Sequence, residues 1–215
     1  NLNINDCIIS NNDAHAGGGI SVTYDANVLI ENSVIKDNYA TDDGGGIFIR
    51  FGGNLEIYDS IIIKNTAQYA GGGLHQGSAD INEQSSTLIE NCTLVSNSGG
   101  AGFGNTEGWD GIVIRGGYFD IKNSIIDDNS NTVLWDTVTQ SNITFTLNHS
   151  DWQGSGNINA NPQFTNPDDE DFTLQPISPC IDSGDPESPL DPDGTIADMG
   201  AYPFFQIPGC TDELA

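Results

Sequence analysis

Ile30-Glu31-Asn32-Ser33-Val34-Ile35-Lys36-Asp37-Asn38, followed by Gly44-Gly45-Gly46-Ile47-Phe48-Ile49, is the stretch on which the fold turns. The same phrase returns as Ile57-Tyr58-Asp59-Ser60 to Asn65 with Gly71-Gly72-Gly73, and stands earlier as Ile4-Asn5-Asp6-Cys7 to Asn12 with Gly17-Gly18-Gly19. The glycine triplets are 27 residues apart both times. Two more copies, Ile89-Glu90-Asn91-Cys92 to Asn97 and Ile121-Lys122-Asn123-Ser124 to Asn129, lack the triplet. Asn12, Asn38, Asn65, Asn97 and Asn129 are thus 26, 27, 32 and 32 residues apart, a period that marks a solenoid.

Stacking the copies gives columns. Ile occupies the first in all five (Ile4, Ile30, Ile57, Ile89, Ile121), and Asp or Asn stands two residues on (Asp6, Asn32, Asp59, Asn91, Asn123). A small residue follows (Cys7, Ser33, Ser60, Cys92, Ser124), then Ile or Leu (Ile9, Ile35, Ile62, Leu94, Ile126). After the glycines, Ile20-x-Val22, Ile47-x-Ile49 and Ile112-x-Ile114 alternate with the period of a strand. Short strands of fixed period separated by polar corners predict an all-β, right-handed parallel β-helix of five to six coils, about three strands to a coil. Coils stack at ~4.8 Å, so like residues lie over like. Aligned Ile fills a dry interior, and a column of Asn can bond amide to amide from coil to coil while tolerating a left-handed corner. An antiparallel sandwich would show neither a fixed period nor identical columns.

Composition narrows the function. The 215 residues hold 5 Lys+Arg against 31 Asp+Glu, a formal charge of −26, which disfavours nucleic acid and anionic lipid as partners. No apolar run exceeds three residues, so no helix inserts in a membrane. Residues 1–147 are expected to form coils and 148–215 an irregular closing tail wrapped back and packed on the β-helix. The segment Val133 to Leu147, with Thr137-Val138-Thr139 and Ile143-Thr144-Phe145-Thr146-Leu147, is read as a last coil or a small capping sheet. The third and fourth coils carry extra residues within Gly77–Ser86 and Ser98–Asp110. Insertions in a solenoid gather on one face, often the binding face. Phe103 and Trp109 there can stack on a sugar ring, or simply cover apolar surface.

Three constellations carry possible chemistry. Arg50 and Arg115 fall at equivalent register two coils apart, with Gly77 between them and His75 two positions earlier in that strand. An Arg50–His75–Arg115 face, about 10 Å from end to end, can hold an acidic sugar, or serve as the catalytic groups that neutralise its carboxylate and move its protons. Solvated charges sharing a sheet by chance are the alternative, and the overall acidity repels a polyanion unless divalent ions screen it. Asp191, Asp193 and Asp198 surround Gly194 with a spacing that suits Ca²⁺, or else cap turn amides. Cys7 and Cys92 are read as buried small residues too far apart to bridge, whereas Cys180 and Cys210 can pair in the tail, worth ~3–4 kcal/mol in an oxidising extracellular setting. The chain starts in mid-coil at Asn1-Leu2-Asn3-Ile4, as expected of a fragment, a processed form or an assembly unit.

The columns, the Gly-Gly-Gly-Ile phrase and the tail together resemble the secreted right-handed parallel β-helix repeat proteins of the pectate-lyase-like superfamily, of the bacterial surface and adhesin kind. The tail carries the likeness in Asn161-Pro162-x-Phe164, Asp171-Phe172-x-Leu174, Ser178-Pro179-Cys180-Ile181-Asp182-x-Gly184 and Asp193-Gly194-Thr195 to Asp198-Met199-Gly200-Ala201-Tyr202. Ile196 and Ala197 stand where such tails usually carry a basic residue. Gly209-Cys210-Thr211-Asp212 resembles the start of a further Cys-containing module over 209–215. The resemblance implies a tail that closes the C-terminal end of the β-helix, and it spans both non-enzymatic adhesins and polysaccharide lyases or epimerases. The expectation is an extracellular, secreted or surface-attached structural or adhesive module. It would self-associate through its open N-terminal coil, head to tail in a filament, or meet an upstream domain there. The alternative is a polysaccharide-active enzyme or carbohydrate-binding module for an acidic glycan.

Overall fold

The computed structural model describes residues 1–77, 84–100, 111–129, 132–134, 139–148 and 154–206. Strands Leu2–Asn5, Asn27–Glu31, Asn54–Tyr58 and Ser86–Glu90, the opening half of Gly117–Asp127, and Thr139–Asn148 stack in parallel as the first strands of six coils. Second strands, from Ile8–Ser10 through Val34–Lys36, Ile61–Ile63 and Thr93–Val95 to the end of Gly117–Asp127, continue the same sheet. The coil has four strands rather than three. Two-residue pieces such as Tyr39–Ala40 and Thr66–Ala67 form a separate row, and fourth strands Ile20–Thr23, Ile47–Arg50, Leu74–Gln76, Ile112–Ile114 and Thr132–Leu134 close the circuit.

The columns are vertical. Ile4 sits over Ile30, then Ile57, Ile89, Ile121 and Ile143. The four from Ile30 to Ile121 are buried in one continuous core with Ile35, Ile62 and Leu94. Burying each such side chain is worth ~1.5–3 kcal/mol.

The two tasks expected of one Asn column are divided between neighbours. Asn11, Asp37, Lys64, Ser96 and Asp128 take the left-handed corner, with φ of 47–58°. The Asn after each forms the ladder: Asn38 Nδ2 donates to Asn65 Oδ1 at 2.9 Å, Asn65 to Asn97 at 3.0 Å and Asn97 to Asn129 at 2.9 Å. The other polar column, Asp6 to Asn123, is also left-handed throughout and bends first strand into second. Phe145 fills that position in the sixth coil, so Ile143–Leu147 is a coil and not a capping sheet. In the glycine triplets, a Cβ at Gly45 would collide with the carbonyls of Thr66 and Gly72. Only glycine lets consecutive coils approach there.

The tail does two things. Gly154–Ala160 lies on the last coil, with the Asn148 N–H donating to Ile158 O and the Ile158 N–H to Thr146 O. From there the chain leaves the end and runs back along the flank of the stack. The hairpin of Phe164–Asn166 and Asp171–Leu174 packs with Cys180, Met199 and Ala201 on the outer faces of Ile61, Ile63, Val95, Ile125 and Leu147. The run Ile61-Ile62-Ile63 lacks alternation because both of its faces are covered. In the first coil, where no tail lies, Ile8 is 70% exposed. Cys7, expected inside, is likewise exposed at this outermost coil, while Cys92 is buried. No helix among the described residues is long and apolar enough to cross a membrane.

Candidate functional site

The fourth strands place two rows of side chains outward. One row is Ser21, Phe48, His75 and Val113; the other is Thr23, Arg50, Gly77 and Arg115. The register expected for Arg50, His75 and Arg115 is therefore found. Arg50 and His75 converge over Gly77, where an added Cβ would lie 3.4 Å from His75 Nε2 and 3.8 Å from Arg50 Cδ. A side chain at position 77 would crowd both groups.

His75 is only 2% exposed, wedged edge-on against Phe48 with ring centroids 5.6 Å apart. Its Nδ1 lies 3.2 Å from Asp43 Oδ2, a charge contact off the line of a straight hydrogen bond. Asp43 Oδ1 accepts the Ala70 N–H at 3.1 Å. Burial opposes ionisation of Asp43, but the contact with His75 and the fields of His75 and Arg115 outweigh it and hold its carboxyl below the ordinary range. Sequence reasoning missed Asp43, although a signal was present. The residue before each glycine triplet is Ala16, Asp43 and Ala70, so one acid interrupts an alanine column.

Gln76 was missed as well. It occupies an interior column otherwise filled by Val22, Ile49 and Ile114. Its Nε2 donates to Gly116 O at 2.6 Å, and its Oε1 accepts the Thr87 hydroxyl at 2.6 Å. Two buried polar residues thus satisfy each other where the coil lengthens, which makes Gln76 a fastening of the corner.

Phe103 and Trp109, expected to stack on sugar, lie outside the described residues. Cys180 is a free thiol, buried and pushed up to about 12 by that burial, and Cys210 lies outside the described residues. Asp191, Asp193 and Asp198 do gather in one turn, but as acceptors of backbone amides. Asp198 accepts from Asp182 at 2.7 Å and Phe204 at 2.6 Å, Asp191 from Asp198 at 2.9 Å, and Asp193 from Gln206 at 2.6 Å. Burial, then the Asp198 charge, pushes Asp191 up to about 6. Among the described residues, no group of three His, Cys, Asp or Glu side chains is placed to hold a metal ion. The oxygens of Asp191, Asp193 and Asp198 cap turn amides in this arrangement.

The three Lys side chains are all paired. Glu170 bridges Lys36 at 2.6 Å and Lys64 at 2.8 Å, and Lys122 pairs with Glu90 at 3.1 Å and Asp185 at 3.8 Å. Lys36 and Lys64 fasten the strap and Lys122 ties two neighbouring coils, with Asp185 of the strap farther off; Arg50 and Arg115 stand on the outer row next to that of His75.

Residues 1–150 match the family model of the right-handed β-helix region. The chain belongs to this family. The match covers every coil described above, and the strap of 154–206 lies beyond it. No curated protein and no solved structure is significantly similar to this β-helix chain.

Proposed function

We propose that this β-helix is an extracellular structural and adhesive module whose fourth-strand flank recognises an acidic glycan. The observation that carries the reading is the division of its cations. In a chain of charge −26, Lys36 and Lys64 are bound to Glu170 of the strap and Lys122 to Glu90 of the adjacent coil, while Arg50 and Arg115 share the outer row beside that of the buried His75. Guanidinium matches carboxylate in shape as well as charge. Repulsion from the distant acidic surface is screened over about 8 Å at physiological salt, so the local cluster governs contact. Ca²⁺ recruited by the acidic surface would assist by bridging carboxylates of module and glycan. Among the described residues, the first coil's strands pair only with the second coil. Their free backbone edges would accept a further coil, from a second copy or an upstream segment.

A polysaccharide lyase is the second reading, and the contact of His75 with Asp43 is what favours it. A general base must come within ~3 Å of the proton it removes, and a ring 2% exposed does not offer that reach, so recognition is the better supported role. Affinity electrophoresis in polygalacturonate separates the readings. Retarded migration that is lost with Arg50→Gln supports recognition, and equal mobility of the two proteins overturns it. Ultraviolet absorbance from an unsaturated product would promote the lyase.

A further inference from the structure

The corners next to Arg50 are built in an unexpected way. In the first two coils the chain turns through Thr23-Tyr24-Asp25-Ala26 and Arg50-Phe51-Gly52-Gly53. The Ala26 N–H donates to Thr23 O at 3.3 Å and the Gly53 N–H to Arg50 O at 3.2 Å. Both central residues have positive φ in each case: 54° and 57° at Tyr24 and Asp25, 53° and 76° at Phe51 and Gly52. This is the type I′ pattern, whose first central position favours Asn or Gly. Tyr and Phe there press Cβ toward the backbone carbonyl and gain nothing for the turn itself. Strain of this kind at two stacked corners points to a task for the side chains.

The rings themselves show the task. Tyr24 and Phe51 stack with centroids 5.1 Å apart and planes 13° from parallel. Tyr24 is 76% exposed, and the Arg50 guanidinium carbon lies 4.6 Å from the centre of the Phe51 ring. Phe51 therefore has one face against Tyr24 and the Arg50 guanidinium over its ring, and Tyr24 offers the aromatic face open to water beside the guanidinium that converges with His75 over Gly77.

We infer that Tyr24, backed by Phe51, forms a stacking subsite for one sugar ring of the glycan, placing the carboxylate of the neighbouring sugar at Arg50. The inference rests on the proposed recognition of an acidic glycan and extends it to the first two coils. The apolar C–H face of a pyranose packs on an aromatic face, while its hydroxyls stay in water. Ring and carboxylate sites sit on consecutive coils ~4.8 Å apart, so the glycan runs parallel to the coil axis.

Glycine substitutions test this without harming the corner, because glycine adopts both positive-φ positions freely. Isothermal titration of tetragalacturonate and of its carboxyl-reduced, neutral counterpart would compare wild type, Tyr24→Gly, Phe51→Gly and Arg50→Gln. Tyr24→Asn provides a second variant compatible with the same turn. Removing either ring should weaken both ligands by about 5- to 10-fold, and Arg50→Gln should weaken only the acidic one. Undiminished affinity in both ring variants, with Arg50→Gln still impaired, overturns the platform and leaves the anion site standing. A wild-type protein that binds neither oligomer overturns both.

Discussion

Replacing Asn65 tests the ladder that holds one coil on the next. Its amide is fully buried and makes four bonds: Nδ2 to Ile35 O at 2.9 Å and to Asn97 Oδ1 at 3.0 Å, and Oδ1 from the Asn38 N–H at 3.1 Å and Asn38 Nδ2 at 2.9 Å. In Asn65→Ala the Asn38 N–H loses its acceptor in the interior, a cost of ~1–3 kcal/mol, and the other lost bonds add about 1 kcal/mol. The sum, about 3 kcal/mol, corresponds to a fall in Tm of about 6–12 °C for a chain of this size. Asn65→Asp is the sharper variant. It keeps the acceptor for Asn38 but sets an oxygen against Ile35 O and Asn97 Oδ1, where Asn65 had donated. Only the protonated acid can donate there, so its folded pKa must rise above the unfolded value of ~3.9. A raised carboxyl binds its proton more tightly when folded, so stability is greatest below the unfolded pKa. It declines as pH climbs from there to the folded pKa. Urea unfolding followed by circular dichroism at about pH 4 and about pH 8 reads this directly. The ladder argument is refuted if Asn65→Ala shifts Tm by less than about 2 °C, or if Asn65→Asp is equally stable at both pH values.

Glu170→Gln removes the charge that bridges Lys36 and Lys64; because all three are partly exposed, the loss should be about 0.5–1 kcal/mol and should shrink in high salt. The bonds from Lys36, then Lys64, lower the Glu170 carboxyl, so this strap contribution is present above the unfolded pKa and disappears as pH falls below it, visible as acid-labile protection of the tail in hydrogen exchange. Asp191 has the opposite sign: raised to about 6 from 3.8, it makes the wild type lose stability as pH rises between those values. Asp191→Asn should flatten that slope and stabilise the protein at neutral pH by about 1 kcal/mol after allowance for solvent screening, measured by thermal melts across the interval. Maleimide labelling followed by mass spectrometry should modify Cys7 in the native protein, whereas Cys92 and Cys180, buried and with thiols pushed up by desolvation, should react only after unfolding.

The interior was legible in the sequence because a solenoid converts spacing into height: Ile30, Ile57, Ile89 and Ile121 share a column in the text and in space. The shared register of Arg50 and Arg115 followed from the same arithmetic. What periodicity does not carry is depth on the outer face. His75 alternates outward like any exposed residue, yet Phe48, Val113 and Asp43 bury it. Nor does spacing reveal where an irregular tail will lie. The path of residues 161–206 depends on Glu170 finding Lys36 and Lys64 at sequence separations of 134 and 106, and no local pattern encodes contacts of that range. One trace of the strap was nonetheless present: Ile61-Ile62-Ile63 has no polar member, which a strand open to water on one face does not afford.

Interior and exterior of this coil answer to different demands, and the sequence separates them residue by residue. The inward column Ile20, Ile47, Leu74, Ile112 is nearly invariant because each member must fit the same gap between its neighbours. The adjacent outward column Ser21, Phe48, His75, Val113 changes at every coil, since no vertical packing forces a repeat. An outward residue is thus free to vary, and a costly choice there needs a reason of its own. Surface demands alone would accept Asn or Gly at the corners where Tyr24 and Phe51 adopt positive φ, and Ala in place of Asp43. These exceptions lie in the first two coils, Phe51 beneath the Arg50 guanidinium, Tyr24 stacked on Phe51, and Asp43 against His75. The tail provides the control: it departs from the repeat just as strongly, but its Lys–Glu pairs and buried apolar face account for it as packing. On the flank, Asp43 is held by His75 and the Ala70 N–H, but the stack of Tyr24 on Phe51 does not offset the positive φ of both corners, and the proposed glycan would give that choice its reason.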